Sequence, residues 1–322
     1  VVAGDAKQLR PTATFMRRYM GGADDDSDLT LQAALEVESL LDLAVARFDS
    51  ANITYHYRSR SRGLIDFSNK AFYDGMLRIS PDVTKSLRNK AVERIMVKGL
   101  WQDRRNPAEA AEIVRLLKKL FKSRSSDTIG IITFGMEQQS CIEDAIEKEC
   151  KRDTEFRAAY LKEAARKEDG QDVSLFIKNI ENVQGDERDI IIFSIGYARN
   201  ENDKVNAHFG SLSVEGGENR LNVAVTRAKK KIYVVTSIEP EDLRVDGSKN
   251  NGPKLFRAYL TYARAVSEGS KAETDAVLDA LCPPAVKARH AEITVPVEQQ
   301  IAAKLRSLGY DVDTDLGSGT NK

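Results

Sequence analysis

Residues 175–195 read LFIKNIENVQGDERDIIIFSI. Two apolar runs, residues 175–180 and 190–195, flank a polar turn that holds one glycine, Gly185. Each run has the length of a strand and is rich in branched and aromatic side chains. The second, Ile190-Ile191-Ile192-Phe193, is apolar without alternation, the pattern of a strand covered on both faces. A parallel sheet needs crossover helices, and the sequence on either side provides them.

Residues 128–134 are a β-branched run that predicts another strand. Pro107 opens the helix before it, with Asn106 as N-cap and Glu109 and Glu112 in the early turns. Its inner stripe is Ala110, Ile113, Val114, Leu117 and Leu120. Residues 137–150 return to helix, with Ile142, Ala145 and Ile146 inward, and the charged stretch 151–172 predicts an exposed insertion. Upstream, residues 53–57 predict a strand and 64–72 a helix, while the aspartate-rich stretch 21–28 predicts a solvated loop. Downstream, 221–228 predict a helix, 232–235 a strand and 253–266 a closing helix. Strands alternating with helices give an α/β fold around a parallel sheet.

The chain has 322 residues, about two domains at roughly 150 residues each. Hydrophobic residues make up 41% and charged residues 30%, which excludes collagen, wholesale disorder and a membrane bundle. Lys and Arg number 49, as do Asp and Glu, so the net charge is zero and any track for a polyanion must be local. The three cysteines form no CxxC pair, which argues against a disulfide framework or a zinc site and fits a reducing, cytoplasmic compartment. The apolar runs are too short to span a bilayer, and no signal-peptide pattern opens the chain, so no membrane partner is expected. The sequence starts at Val1 rather than methionine and stops at Lys322 just after a strand-like run at 310–316, so it reads as a piece of a longer protein.

Four segments carry the chemistry. The first is Gly4-Asp5-Ala6-Lys7-Gln8-Leu9, a glycine turn that presents Gln8. The second is Tyr57-Arg58-Ser59, followed by Phe67-Ser68-Asn69 and Phe72-Tyr73. A tyrosine beside an arginine at a strand end pairs base stacking with charge on a phosphate. The third is Glu181-Asn182-Val183-Gln184-Gly185-Asp186-Glu187-Arg188-Asp189, where a glycine lets backbone N–H groups approach a phosphate or ribose. The fourth is Arg220-Leu221-Asn222-Val223-Ala224-Val225-Thr226-Arg227-Ala228. On a helix, Arg220 and Arg227 are two turns apart and share a face, and Lys229, Lys230 and Lys231 fall at its end, complementing the dipole.

In this order the four segments resemble superfamily 1 helicases, in particular the group of RNA-surveillance and Okazaki-processing helicases and related large bacterial helicases. The resemblance covers residues 1–266. Ala6 and Arg10 stand where that family often has proline. The resemblance implies a RecA-like P-loop NTPase second motor domain that works with ATP and Mg²⁺ on single-stranded nucleic acid, DNA favoured over RNA. Gln8 would sense the γ-phosphate, Tyr57 would stack on adenine, and Arg58 and Arg227 would be arginine fingers. Glu187 would hold the ribose with Gly185 in the same turn, and Arg220 would support the nucleotide site. Thr133 and Asn182 would touch the nucleic-acid backbone. The implied organisation is an edge of the first motor domain at 1–20, the second at 21–266, a linker at 267–292 and a further domain from 293 to 322. In that last part, residues 297–312 resemble the opening of restriction-endonuclease-like domains, with Glu298 a candidate for a Mg²⁺ site there. An ordinary amphipathic helix ending at Gly309 accounts for the same stretch.

The chain contains no G-x-x-x-x-G-K-[ST] phosphate loop and no DExx motif before Gly4. In the resembled family both, with the Mg²⁺ ligands, belong to the first RecA-like domain, the expected partner of this one; no metal site is expected in this chain. A single-strand binding module without motor activity, or the positioning part of a helicase–nuclease fusion, are the alternative readings. The isolated chain is expected neither to hydrolyse ATP nor to cut DNA with Mg²⁺; robust phosphate release by it in a turnover assay would contradict this.

Overall fold

The computed structural model describes residues 1–9, 39–79, 90–123, 125–205, 209–282, 297–310 and 312. In chain order, helix α1 (Leu40–Arg47) precedes strand β1 (Tyr55–His56), helix α2 (Asp66–Phe72) and strand β2 (Arg78–Ile79). Then come β3 (Val92–Met96), α3 (Pro107–Lys122), β4 (Ile129–Thr133), α4 (Met136–Arg152), α5 (Thr154–Ala164) and the small strands β5 (Lys167–Glu168) and β6 (Gln171–Asp172). β7 (Phe176–Asn179), β8 (Arg188–Ser194), α6 (Gly217–Val225), β9 (Ala228–Thr236), α7 (Asn251–Glu268), α8 (Lys271–Leu281) and α9 (Val297–Ser307) complete the order. Residues 1–279 and 280–322 form two compact units. The expected loop at 21–28 and most of the expected strand at 310–316 lie outside the described residues.

Five strands pair in one sheet in the order β3-β9-β8-β4-β7, every neighbouring pair parallel. Residues 190–193 are all buried, as their unbroken apolar run requires. On one face, Ile113 and Leu117 of α3 and Ile142 and Ile146 of α4 join the core formed with Ile131 and Ile192. On the other, Phe193 meets Tyr259 of α7 edge-on, and Phe134 packs against Phe256. Asn106 caps α3 by accepting from the Glu109 amide, with Pro107 in the first turn. The insertion after α4 is α5 and the β5–β6 hairpin, anchored by buried Phe156 stacked on Tyr160. Residues 267–271 are the end of α7, the left-handed cap Gly269 and the start of α8. Gly309, at φ 88°, follows the last turn beyond α9. Among the described residues no helix is long and apolar enough to cross a membrane.

Three expectations are corrected. The helix expected at 221–228 runs from Gly217 to Val225, because Thr226 and Arg227 satisfy its last carbonyls. Thr226 Oγ1 donates to the carbonyls of Asn222 (2.9 Å) and Val223 (3.0 Å), and Arg227 Nε donates to that of Val223 (2.7 Å). The backbone then extends, so Arg227 does not share a helical face with Arg220, and Lys229, Lys230 and Lys231 lie in β9. There the three lysines pair with Glu187, with Asp127 and Asp189, and with Glu93. β3 is an edge strand for which the sequence made no expectation, since Val-Glu-Arg-Ile-Met mixes charge into a short run.

One buried acid organises the C-terminal edge of the sheet. Glu109 has no exposed surface. Its Oε2 accepts from Ser194 Oγ and the Gly196 amide, each at 2.7 Å, and its Oε1 from Asn106 Nδ2 (3.1 Å) and Ser237 Oγ (3.3 Å). Gln138 ties into the same cluster through Asn106 and Ser194. Burial pushes the Glu109 carboxyl up to about 8, against the pull of these hydrogen bonds. The folded value exceeds the roughly 4.3 of a solvated glutamate, so between the two the folded chain holds the extra proton. That contribution to stability is complete at low pH and is lost as pH rises to about 8. The urea midpoint of the native chain should therefore fall, relative to that of Glu109→Gln, between about pH 4 and about pH 8. Parallel curves for the two proteins would contradict this.

Candidate functional site

The functional candidates fall into one larger group and a few outlying residues. The larger group gathers where β8 and β9 begin, side by side in register at Arg188 and Ala228. The turn before β8 places Glu187 there, and the exit from α6 places Arg227. Residues 58–60 run alongside, held by the Arg60 amide on the Lys229 carbonyl (2.8 Å). Gly185 stands at φ 88°, a conformation side chains rarely adopt, with nothing within 4 Å of where a Cβ would sit. The turn is thus tight and open on its outer side.

Arg58 Nε meets Glu187 Oε2 at 2.7 Å, and its Nη1 reaches the Thr226 carbonyl at 3.4 Å. Lys229 Nζ meets the other Glu187 oxygen at 2.8 Å. Burial would raise the Glu187 carboxyl, but these two cations outweigh it and hold the group below its ordinary value. Arg227 is 3% exposed and among the described residues pairs with no acid. Its three hydrogen bonds go to the carbonyls of Val223 (2.7 Å) and Asp186 (3.3 Å) and to Thr226 Oγ1 (3.0 Å). Burial, and then the nearby Arg58, pull its guanidinium down to about 10, so it remains a cation at neutral pH. A guanidinium has five N–H donors, so about two of Arg227's remain for another acceptor.

Around this pair, Arg220 lies 3.7 Å from Glu181 at the flank of α6. Tyr57 is 80% exposed, its ring uncovered beside Arg58. Gln8 joins from the first segment, where its Nε2 donates to Asp5 Oδ2 at 3.1 Å. His56 Nε2 accepts from the Ser59 amide (3.0 Å), and burial with the Arg58 charge lowers its pKa to about 4. It is therefore a neutral brace for the Arg58 turn. The structure thus brings Gln8, Arg58, Gly185, Glu187, Arg220 and Arg227 to one region of the fold.

Thr133 stands apart from it, while Asn182 lies next to Glu181, the acid that Arg220 faces. Thr133 ends β4, fully buried, its Oγ1 on the Gly135 carbonyl (3.0 Å), and Asn182 is exposed one turn beyond β7. Glu298 lies on α9, in the separate C-terminal unit. Among the described residues no group of three or more His, Cys, Asp or Glu side chains is placed to hold a metal ion.

Sequence reasoning missed Lys229, Asn222 and the role of Tyr73. Lys229 reads as a helix-end lysine until the strand is seen to start at Ala228. Asn222 sits among apolar residues of α6, and a buried polar residue amid an apolar stretch is a signal in itself.

The AAA domain family (AAA_12) matches residues 37–239. An uncharacterized ATP-dependent helicase of Mycoplasma genitalium is 37% identical over 284 residues, 86% of this chain and 24% of that protein. Its homolog from Mycoplasma pneumoniae is 36% identical over 280 residues, 85% of this chain and 24% of that protein. The chain thus spans about a quarter of the length of the curated relatives it matches. Among solved structures, the C-terminal domain of a possible DNA helicase from Lactobacillus plantarum aligns over 60% of this chain and 96% of that one. Its 16% identity and TM-score of 0.32 are too loose to bear on the fold.

The start of α6 is fixed by close approach. A Cβ on Gly217 would fall 2.3 Å from the Leu212 carbonyl oxygen, and one on Gly252 would fall 2.0 Å from the same atom. Gly217→Ala should cost about 3 kcal/mol in chemical denaturation, because only backbone movement relieves the clash. Exposed Gly247, with open space around it, is the control. Equal stability of the two alanine variants would rule the constraint out.

Proposed function

The chain belongs to this AAA domain family, and we propose that it is the second motor domain of an ATP-dependent superfamily 1 helicase acting on single-stranded nucleic acid. The observation that carries the reading is Arg227. A buried cation without an acid partner is held at a cost of several kcal/mol unless something anionic completes it. Arg227 keeps donors unused, and Arg58 stands beside it. Two guanidinium groups flanking an open glycine turn suit a polyphosphate better than any other common ligand.

In this reading Tyr57 receives the adenine ring, Glu187 the ribose, and Arg58 and Arg227 the terminal phosphate. Gln8 reports the state of that phosphate, and Arg220 braces the helix that carries the site. The nucleotide supplies the phosphoryl group, and Mg²⁺ would be held by the first motor domain. Phosphoryl transfer gathers charge on the phosphate oxygens, and catalysis is chiefly positioning and electrostatics. Arg58 is latched on Glu187 in the present arrangement, and a ribose at Glu187 would compete for the same carboxylate. Thr133, at the end of β4, and Asn182, in the turn after β7, would carry the nucleic-acid backbone, DNA in preference to RNA. Residues 1–20 would close the first motor domain, 21–266 form the second, and 267–292 link it to a restriction-endonuclease-like unit that carries Glu298.

In the full-length protein, Arg227→Lys and Arg58→Lys should each lower kcat by about 10³ or more, since a lysine lacks the planar fork. ATP binding and strand binding should stay within a few-fold, as read by steady-state ATPase and fluorescence anisotropy. Normal turnover with lost strand binding in either variant would overturn the assignment.

A further inference from the structure

A continuous line of hydrogen bonds joins the Gln8 turn to Arg227, and its two middle members, Tyr73 and Asn222, have no role in the reading above. Asp5 to Gln8 is a tight turn, closed by the Gln8 amide on the Asp5 carbonyl (3.1 Å) and by the Lys7 amide on Asp5 Oδ1 (2.8 Å). The other carboxylate oxygen, Asp5 Oδ2, accepts from Gln8 Nε2 (3.1 Å) and from the Tyr73 hydroxyl (2.7 Å). Asn222 Nδ2 donates to that same hydroxyl (3.0 Å) and to the Lys7 carbonyl (2.8 Å). One turn on, the Asn222 carbonyl accepts from Thr226 Oγ1 (2.9 Å), which itself accepts from Arg227 Nη2 (3.0 Å). A side contact, Asn219 Nδ2 to the Ala6 carbonyl at 3.4 Å, lies along the same helix.

The geometry leaves little freedom in this line. Asn222 is 1% exposed. Turning its amide over would set Oδ1 against the Lys7 carbonyl, acceptor against acceptor, so the nitrogen must face the turn. In that orientation Oδ1 is buried with no partner among the described residues. A polar atom left unpaired in this way is costly, and the two donations from Nδ2 are what the residue supplies in return. Tyr73 must both accept from Asn222 and donate to Asp5, which only a protonated hydroxyl does. Burial first, and the Asp5 charge further, raise its pKa far above the ordinary tyrosine value, and the hydroxyl keeps its proton.

We infer that Tyr73 and Asn222 are positioning residues that register the Gln8 turn against the arginine-bearing end of α6. A displacement of Gln8 is thereby transmitted to Arg227 through fixed hydrogen bonds rather than across solvent. This deepens the proposed function, on which its catalytic consequence rests, by naming the parts that couple the two phosphate-facing residues.

Tyr73→Phe removes one hydroxyl and keeps the ring. In this chain, hydrogen–deuterium exchange at the Lys7 and Gln8 amides should accelerate about five- to tenfold, the effect of one lost hydrogen bond. Asn222→Ala should act in the same direction. In the full-length protein, Tyr73→Phe should lower kcat for strand-stimulated ATP hydrolysis about tenfold, with KM for ATP within about twofold, because Tyr57 and Glu187 are untouched. A merely structural residue would not separate kcat from KM in this way. Unchanged exchange in both variants would overturn the link, and accelerated exchange with unchanged kcat would overturn its role in the reaction. Accelerated exchange in a full-length protein without ATPase activity would support the link and overturn the proposed function instead.

Discussion

The guanidinium of Arg227 is buried where, among the described residues, it forms no ion pair, and the surrounding structure is arranged to tolerate that charge. It lies just past the end of α6, where carbonyls of the last turn lack helical partners and carry partial negative charge. The same side chain closes the helix and is stabilised by closing it. Because Thr226 and Arg227 cap from within, the chain passes straight from α6 into β9 without a loop. That economy aligns Ala228 with Arg188 at the start of the neighbouring strand and so brings the Glu187 turn against the helix end. The arginine, the acid and the lysine are neighbours because of how one helix ends.

Glu109 presents the opposite case at the opposite edge of the sheet. It lies in the first turn of α3, where the helix end favours negative charge, as the end of α6 favours positive. Four donors surround its two oxygens, and Gly99 leaves room for the cluster: a Cβ there would lie 2.2 Å from Asn106 Oδ1 and 2.5 Å from Ser237 Oγ. The Glu109 cluster is closed, every oxygen occupied, and it locks α3 to the ends of β8 and β9. The Arg227 cluster is open, with donors left over beside an exposed tyrosine and a bare glycine turn. Comparing the two separates a polar cluster whose groups are all satisfied from one that keeps donors free.

The elements with strong periodicity were legible beforehand. Unbroken β-branched runs marked β4 and β8, and the Asn-Pro start with its apolar stripe marked α3. What escaped was set by tertiary contact. Helix propensity continues through Thr226 and Arg227, so nothing local marks the break; the carbonyls that those side chains cap decide it. β3 is half-polar because it is an edge strand, with Lys231 on Glu93 and Arg94 on Glu239 at its margin. Motif order singled out the arginines, the glycine turn and Glu187, which the fold places near one another. It gave no role to Asn222 and Tyr73, whose side-chain partners lie 68 to 215 residues away along the chain.

Charge follows the same logic of place over total. Lys230 and Lys231 are neutralised by Asp127, Asp189 and Glu93, so the run of three lysines is no basic patch. Only Lys229 turns into the site, and there Arg58 and Lys229 share the single carboxylate of Glu187 while Arg227 has none. Arg58, Lys229 and Arg227 thus crowd around the Glu187 carboxylate, with that of Asp186 also acting on Arg227, in a chain whose formal sum is zero. Screening confines charges to about 8 Å at physiological salt, so remote acids do not cancel the local field. Where the cations are partly buried, the lower dielectric strengthens their pull on an anion. A balanced composition therefore conceals a local cluster of cations, and one of them is the residue whose burial also ends the helix.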